Sequence, residues 1–590
     1  MVSNRGILGV VAVTLLCAWG LPASAQSFRI QCPAGTTLHP ADPNSDAAAV
    51  RAAKPLVYDT ITRPLDTNST NNPTGRLNIA RKLNPLPSMA NVHIKCQQLS
   101  GGDGFATMGD GTQTYLFAFG PLSGLSNIVN GQPGTAVASE FLQNNLDTGG
   151  NVLDVVKVGA PDSTYLGFKP DATARGGVVA AGFNGAIGLV PDVQASDNQD
   201  PTTGVNLATP GTELTGHVDP RLAMDVGVLN GNAPAPMIAI DEGDELFLTL
   251  TNVGMIMRPD LFEQHTVHFH GYPNASSFYD GVPDASVAIN IGGSFTYYYL
   301  APEAGTYMWH CHISPPEHLQ MGMVGQLYVR PRQDTVVAKS SLYGAAVAVN
   351  SILNTQCARS DIFCSVQTPA ADNGALRDAS RLYAYDDGDG TTAYDVEYPM
   401  QMMGFDPNFH FVGMTFNPES FADNKDKYFL LNGRSYPDTV NPKAMKTQSS
   451  DGTERYSQPL PAIVNIPCLS PVNGVCGDGR ALLRLSDLNV TEYHTLASLG
   501  IPMHVVGYNA RLLRDVDGNN LDYYTNSIHL AGGESVDVIL EAKGASAGQK
   551  FYLYTTELDH LSNDAENFGG MMTEVNICAS VNPTTKQCGK

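Results

Sequence analysis

The chain has 590 residues, 34 Lys and Arg against 57 Asp and Glu, and a formal net charge of -23. A surface this acidic repels nucleic acid and attracts cations, which excludes a nucleic-acid partner and leaves room for metal ions or cationic redox partners. The length suits two or three domains.

Residues 1–25 place Arg5 ahead of an apolar run from Ile7 to Trp19, followed by Ala23-Ser24-Ala25. That order reads as a secretory signal peptide with a small-residue cleavage site. The run is short for a transmembrane helix, and no later stretch reaches a membrane span. The mature chain is therefore expected outside the cytoplasm, periplasmic or extracellular, with a charge of -24 once Arg5 is gone.

Residues 26–107 are polar and Pro-rich and read as an extended N-terminal arm held by Cys32 and Cys96. A first β domain is expected over 108–333. It opens with the strand-like TQTYLFAF at 112–119, and a loop-rich insertion rich in Gly, Asn and Asp fills about 121–221. From 224 onward, short β-branched and aromatic runs alternate with Gly, Pro and Asp: PMIAIDEGDELFLTLTNV, SVAINIGGSFTYYYL and GQLYVRP. This is the outline of a Greek-key sandwich in an all-β protein.

Residues 334–380 read as a linker containing Cys357 and Cys364, and 381–590 as a second sandwich. The second half repeats the first. LNGRSYPD at 431–438 echoes LNGNAPAP at 229–236, and GDGRALLRLSDLNV at 477–490 echoes GDELFLTLTNV at 243–253. IPMHVVG at 501–507 is laid against HTVHFHG at 265–271, which puts Ile501 at His265 and Val506 at His270. FYLYTTELDHLSNDAENFGGMM at 551–572 is laid against TYMWHCHISPPEHLQMGM, with Thr555 and Thr556 near His310 and Cys311. His504, His560 and Met571 or Met572 then stand as remnants in a copy without a thiolate.

Removing Cys17 with the leader leaves nine cysteines. Three pairs are close in sequence, 357/364, 468/476 and 578/588, which leaves 32/96 and the single Cys311. Even numbers in an exported chain suggest four disulfides and an oxidising compartment.

The chemistry concentrates in 265–323, where HTVHFHG is followed by GTYMWHCHISPPEHLQMGM. Six of the fourteen histidines lie there: His265, His268, His270, His310, His312 and His318. Alternating residues on a strand share a face, so His310 and His312 project away from Cys311. Two imidazoles, a thiolate and a thioether make a blue-copper ligand set, here His265, Cys311, His318 and Met323. His268, His270, His310 and His312 form a second cluster, bonded in the chain to Cys311 through His310 and His312.

HxxHxHG followed by HCHI, a later His and GM resembles the copper domain of multicopper oxidases, and the likeness covers 222–333. The resemblance implies copper as cofactor, a cupredoxin-like fold for both sandwiches, and a type 1 site wired through Cys311, His310 and His312 to half of a trinuclear cluster. That family reduces dioxygen at three coppers held by four HxH pairs, and this chain has two such pairs. The expected function is copper-dependent one-electron oxidoreduction on a small reductant or metal ion. A second reading is an electron-transfer protein without oxygen reduction, with a redox protein partner, and a third is copper binding and tolerance. A homo-oligomer would be one source of missing ligands.

Overall fold

The computed structural model describes Cys32, short strands at 61–62 and 76–77, and residues 93–137, 229–342, 374–448 and 454–589, apart from a few positions between 256 and 302, at 414–419 and at 516–517. The leader at 1–25, most of the arm, most of the insertion and Cys357 and Cys364 lie outside the described residues. Among the described residues no helix is long and apolar enough to cross a membrane.

The first half is a sandwich of two sheets. One runs in the order β2 (Gln113–Pro121), β1 (Ile94–Thr107), β4 (Glu245–Gly254), β6 (Ser294–Leu300). The other runs β3 (Ile238–Asp241), β8 (Val324–Arg330), β7 (Gly305–His310), β5 (His268–Phe269). The pairs β1–β4 and β3–β8 are parallel and the others antiparallel. Inward-facing Leu99, Leu248, Tyr297, Trp309 and Leu327 fill the space between the sheets.

The expected arm contains β1, a fourteen-residue strand at the centre of the first sheet. The sequence of β1 hides it. IKCQQLSGGDGFAT is polar and Gly-rich, without the alternation of a half-exposed strand, yet most of it is buried. The region set aside for the insertion also begins inside the sandwich: a helix at Leu125–Val129 leads to Ala136–Val137, which pairs with Lys95 and Cys96. The described ends of the linker lie against each other, through a bridge between Ser341 and Leu376.

The second half repeats this plan. One sheet contains β14 (Met503–Tyr508), β15 (Ser535–Glu541), β12 (Arg480–Asp487), β9 (Val396–Phe405) and β10 (Tyr428–Leu431) in that order. The other contains β11 (Val464–Pro467), β17 (Met572–Cys578), β16 (Lys550–Thr555) and β13 (His494–Leu499). Again the parallel pairs are β9–β12 and β11–β17.

This topology corrects the sequence register. β13 occupies the place of β5, whereas 503–508 pairs with β15 in the opposite sheet. The counterpart of HTVHFHG is therefore HTLASLG at 494–500, not IPMHVVG.

Charge and hydrogen bonding join the halves. Arg330 pairs with Glu397, which also accepts from Arg484 Nε at 3.0 Å. Thr306 Oγ1 donates to Asp537 at 2.6 Å, and Gln326 Nε2 donates to the Arg484 carbonyl at 2.8 Å. Disulfides close Cys32–Cys96, Cys468–Cys476 and Cys578–Cys588, and Cys311 is free and buried.

Candidate metal centre

Cys311 follows the end of β7, and the loop after it turns through Ser314, in the left-handed region at φ 37°, into a short helix at Pro315–Gln320. This turn brings His318 back over the thiol, with His318 Nδ1 at 3.2 Å from Cys311 Sγ. His265, held to Ile289 by an isolated bridge, presents its Nδ1 at 4.0 Å from the same sulfur. The three ligand atoms lie within 4.8 Å of one another, and all three residues are buried. That spacing accommodates a first-row metal ion with metal–ligand bonds of about 2.0–2.3 Å.

Met323 is fully buried. Its amide donates to the His318 carbonyl at 2.8 Å, and its carbonyl accepts from the Cys311 amide at 3.1 Å. Gly101 of β1 lies beneath this group. A Cβ there would stand 2.8 Å from His265 Cδ2 and 3.3 Å from Met323 Cε, so only glycine leaves both side chains where they are. The Thr266 amide donates to Cys311 Sγ at 3.4 Å, and Phe117 packs edge-on against His318.

Electrostatics favours the thiolate. Burial raises the Cys311 pKa, but the charge of His318 and hydrogen bonds from His265 and His318 outweigh it and hold the thiol well below its ordinary value. Burial alone would lower His318, yet the Cys311 charge and hydrogen bond, with Glu263, raise it to about 9. In His265 burial dominates and the pKa falls. Glu263 Oε2 lies 3.7 Å from His318 Nε2, and its side chain is 28% exposed.

The second cluster lies across β5 and β7, where His310 pairs with His268. His268 Nδ1–H donates to the Asp280 carbonyl and His310 Nδ1–H to the Cys311 carbonyl, both at 2.7 Å. His270 hydrogen-bonds the backbone of Gly533, so the second half forms one wall of the cluster. These outer contacts fix the rings and leave Nε2 of His270 and His310 facing each other at 2.9 Å. Burial is the largest influence on both, and it lowers His310 to about 3, so the imidazole stays neutral as a metal ligand must.

His268, His270 and His310 come within mutual reach of one ion. His312 stands a step outside that triangle, its ring 5.1 Å from that of His268 and 5.5 Å from that of His310. The structure thus gathers His265, Cys311 and His318 in one group with Met323 buried beside it, and His268, His270 and His310 in another with His312 at its edge.

Sequence reading missed Gly101, Thr266, Glu263 and Gly533. Glu263 was accessible, two residues before His265. The two glycines act through space from distant parts of the chain, which no local pattern reveals.

Residues 212–334 match the family model described as multicopper oxidase. The chain is 33% identical over 124 residues to multicopper oxidase MCE of Talaromyces pinophilus, covering 20% of this chain and 19% of that protein. It is 28% identical over 174 residues to multicopper oxidase MmcO of Mycobacterium tuberculosis, covering 28% and 32%. Over 169 residues it is 29% identical to copper resistance protein A of Pseudomonas syringae pv. tomato, covering 27% and 25%. The chain thus spans about a fifth to a third of the length of these relatives. Among solved structures, multicopper oxidase mgLAC matches with a TM-score of 0.38 and 20% identity, over 59% of this chain and 79% of that one.

Proposed function

We propose that this chain, whose residues 212–334 match the multicopper oxidase family model, is an exported, copper-dependent oxidoreductase taking up electrons singly at a type 1 site. His265, Cys311, His318 and Met323 would hold that copper, and His268, His270, His310 and His312 the metal of a second site. Copper bound at these groups supplies one-electron redox chemistry.

The observation that carries this reading is the adjacency of the two groups. Cys311 Sγ faces His318 on one side of the strand end, while His310 Nε2 faces His270 on the other. One peptide bond separates them, so Cys311 with His310 and His312 makes a short covalent path. The sandwich excludes water from Cys311, His265 and His318, all of which are fully buried.

Glu263 at the outer edge of His318 and the net charge of -23 favour a cationic reductant, such as a metal ion, or a cationic redox protein. The second reading, electron transfer without oxygen reduction, is favoured by the three-histidine group: with His312 a step away, the chain offers half of a four-pair cluster.

One experiment separates these readings. Copper-loaded protein should show an intense thiolate-to-copper band that Cys311→Ser abolishes. Replacing His268 and His270 together by Ala should keep the band and remove any oxygen reduction. A copper-loaded wild type with no such band refutes the type 1 assignment. Oxygen reduction that survives the double replacement refutes the role of the second cluster.

A further inference from the structure

The register that relates the two sandwiches superposes their sites residue by residue. β7 pairs His310 with His268 and with Val324, and β16 pairs Tyr554 with Ala497 and with Met572. Thr555 therefore occupies the position of Cys311. The Cys311 amide donates to the Met323 carbonyl, and the Thr555 amide to the Met571 carbonyl at 2.9 Å. The Met323 amide donates to His318, and the Met571 amide to His560 at 3.1 Å. His265 bridges Ile289, and His494 pairs with Leu530.

The surroundings correspond as well. Glu263 precedes His265 by two residues and faces His318 Nε2, and Glu492 precedes His494 by two and faces His560 Nε2 at 2.9 Å. Phe117 packs on His318, and Phe429 stacks on His560 at 3.7 Å. The rings of His265 and His318 are 5.4 Å apart, and those of His494 and His560 are 5.8 Å apart.

We infer that His494, Thr555, His560 and Met571 are a second blue-copper pocket, complete in its imidazoles and thioether, that lost its thiolate at Thr555 and its open floor at Met402. This rests on the type 1 reading of the first pocket.

Met402 stands where Gly101 stands, because Gly101 pairs with Asn252 and Met402 pairs with the equivalent Asp487. Asp487 Oδ1 in turn holds His494 Nδ1 at 3.2 Å, and Thr555 Oγ1 turns aside to donate to Glu557 at 2.7 Å. The other imidazole has no such partner: His560 Nδ1 is buried without one, although the corresponding His318 Nδ1 faces a thiolate. Asp487 Oδ2 is likewise buried and unpartnered. The pocket would take a copper ion, whose binding displaces the proton of an introduced thiol.

The test is made in a Cys311→Ser background, where any thiolate-to-copper band must come from the second pocket. Thr555→Cys alone, and Thr555→Cys with Met402→Gly, are loaded with copper and their spectra and copper content measured. The expected result is a change from no thiolate-bound copper to one per chain in the variant carrying Met402→Gly, reversed by His560→Ala. Folded protein without the band overturns the inference. If Met402→Gly prevents folding, Met402→Ala takes its place beside Thr555→Cys: a thiolate-to-copper band in that folded variant supports the pocket, and its absence overturns it. A blue band in the unaltered chain, lost with Cys311→Ser, tests the first pocket separately.

Discussion

Gly101→Ala tests the packing of the proposed copper pocket without replacing any of its ligands. The backbone at Gly101 lies in an ordinary strand, so alanine is conformationally allowed and would lower the entropy of the unfolded chain by about 0.4–1 kcal/mol. Against this, the new Cβ would lie 2.8 Å from His265 Cδ2 and 3.3 Å from Met323 Cε. Neither neighbour yields freely, since both are fully buried. Overpacking of a tight core costs roughly 1–3 kcal/mol. The net expectation is a loss of about 1–2 kcal/mol, which lowers the melting temperature by roughly 2–5 °C in a domain of this size. The same displacement moves His265 and Met323 relative to Cys311, so copper affinity should fall by about tenfold or more. Thermal unfolding of metal-free and copper-loaded protein, with a copper titration followed by the visible band, measures both. An alanine variant with unchanged melting temperature and unchanged copper affinity would show that β1 does not form the floor of the site.

Glu263→Gln should slow electron uptake from cationic reductants, flatten its dependence on ionic strength and leave neutral reductants unaffected. Stopped-flow reduction at several salt concentrations checks this, and equal slowing for both classes would remove the steering role. Denatured, unreduced mature protein should contain about one free thiol, Cys311, by thiol titration, and several would contradict the four-bridge scheme. Burial pushes the Asp334 carboxyl up to about 7, with Oδ2 unpartnered, so the folded state holds its proton more tightly than the unfolded state. Stability should therefore fall as pH rises from about 4 to about 7, and Asp334→Asn should flatten that slope in denaturation curves.

Much of the site was legible because its chemistry is compact. Six histidines and a cysteine within 265–323 spell out the two side-chain groups that the fold gathers, and alternation on a strand predicts which side each faces. β4 and β6 were equally plain, as ELFLTLTNVG and SFTYYYL carry strand propensity throughout. β1 was not, because its buried glutamines interrupt the apolar pattern and its glycines serve close approach to neighbouring strands and loops. The register of the second copy also escaped, for a physical reason. With Thr555 at the position of Cys311 and Ala497 at that of His268, HTLASLG keeps only the first histidine, the threonine and the glycine of HTVHFHG. IPMHVVG, whose His504 falls at the position of His268, was the competing match while belonging to the opposite sheet. Only the hydrogen-bond ladder resolves that ambiguity.

Glu397 has a consequence for any attempt to isolate the half that contains Cys311. It is shared between Arg330 of one sandwich and Arg484 of the other, and Thr306 of the first half answers Asp537 of the second. Cutting the chain between the sandwiches would strand Arg330 and expose the strand faces around Thr306 and Gln326. The two halves should therefore melt in a single cooperative transition, and copper bound near Cys311 should protect β12 and β15 from amide exchange although neither strand carries one of its ligands.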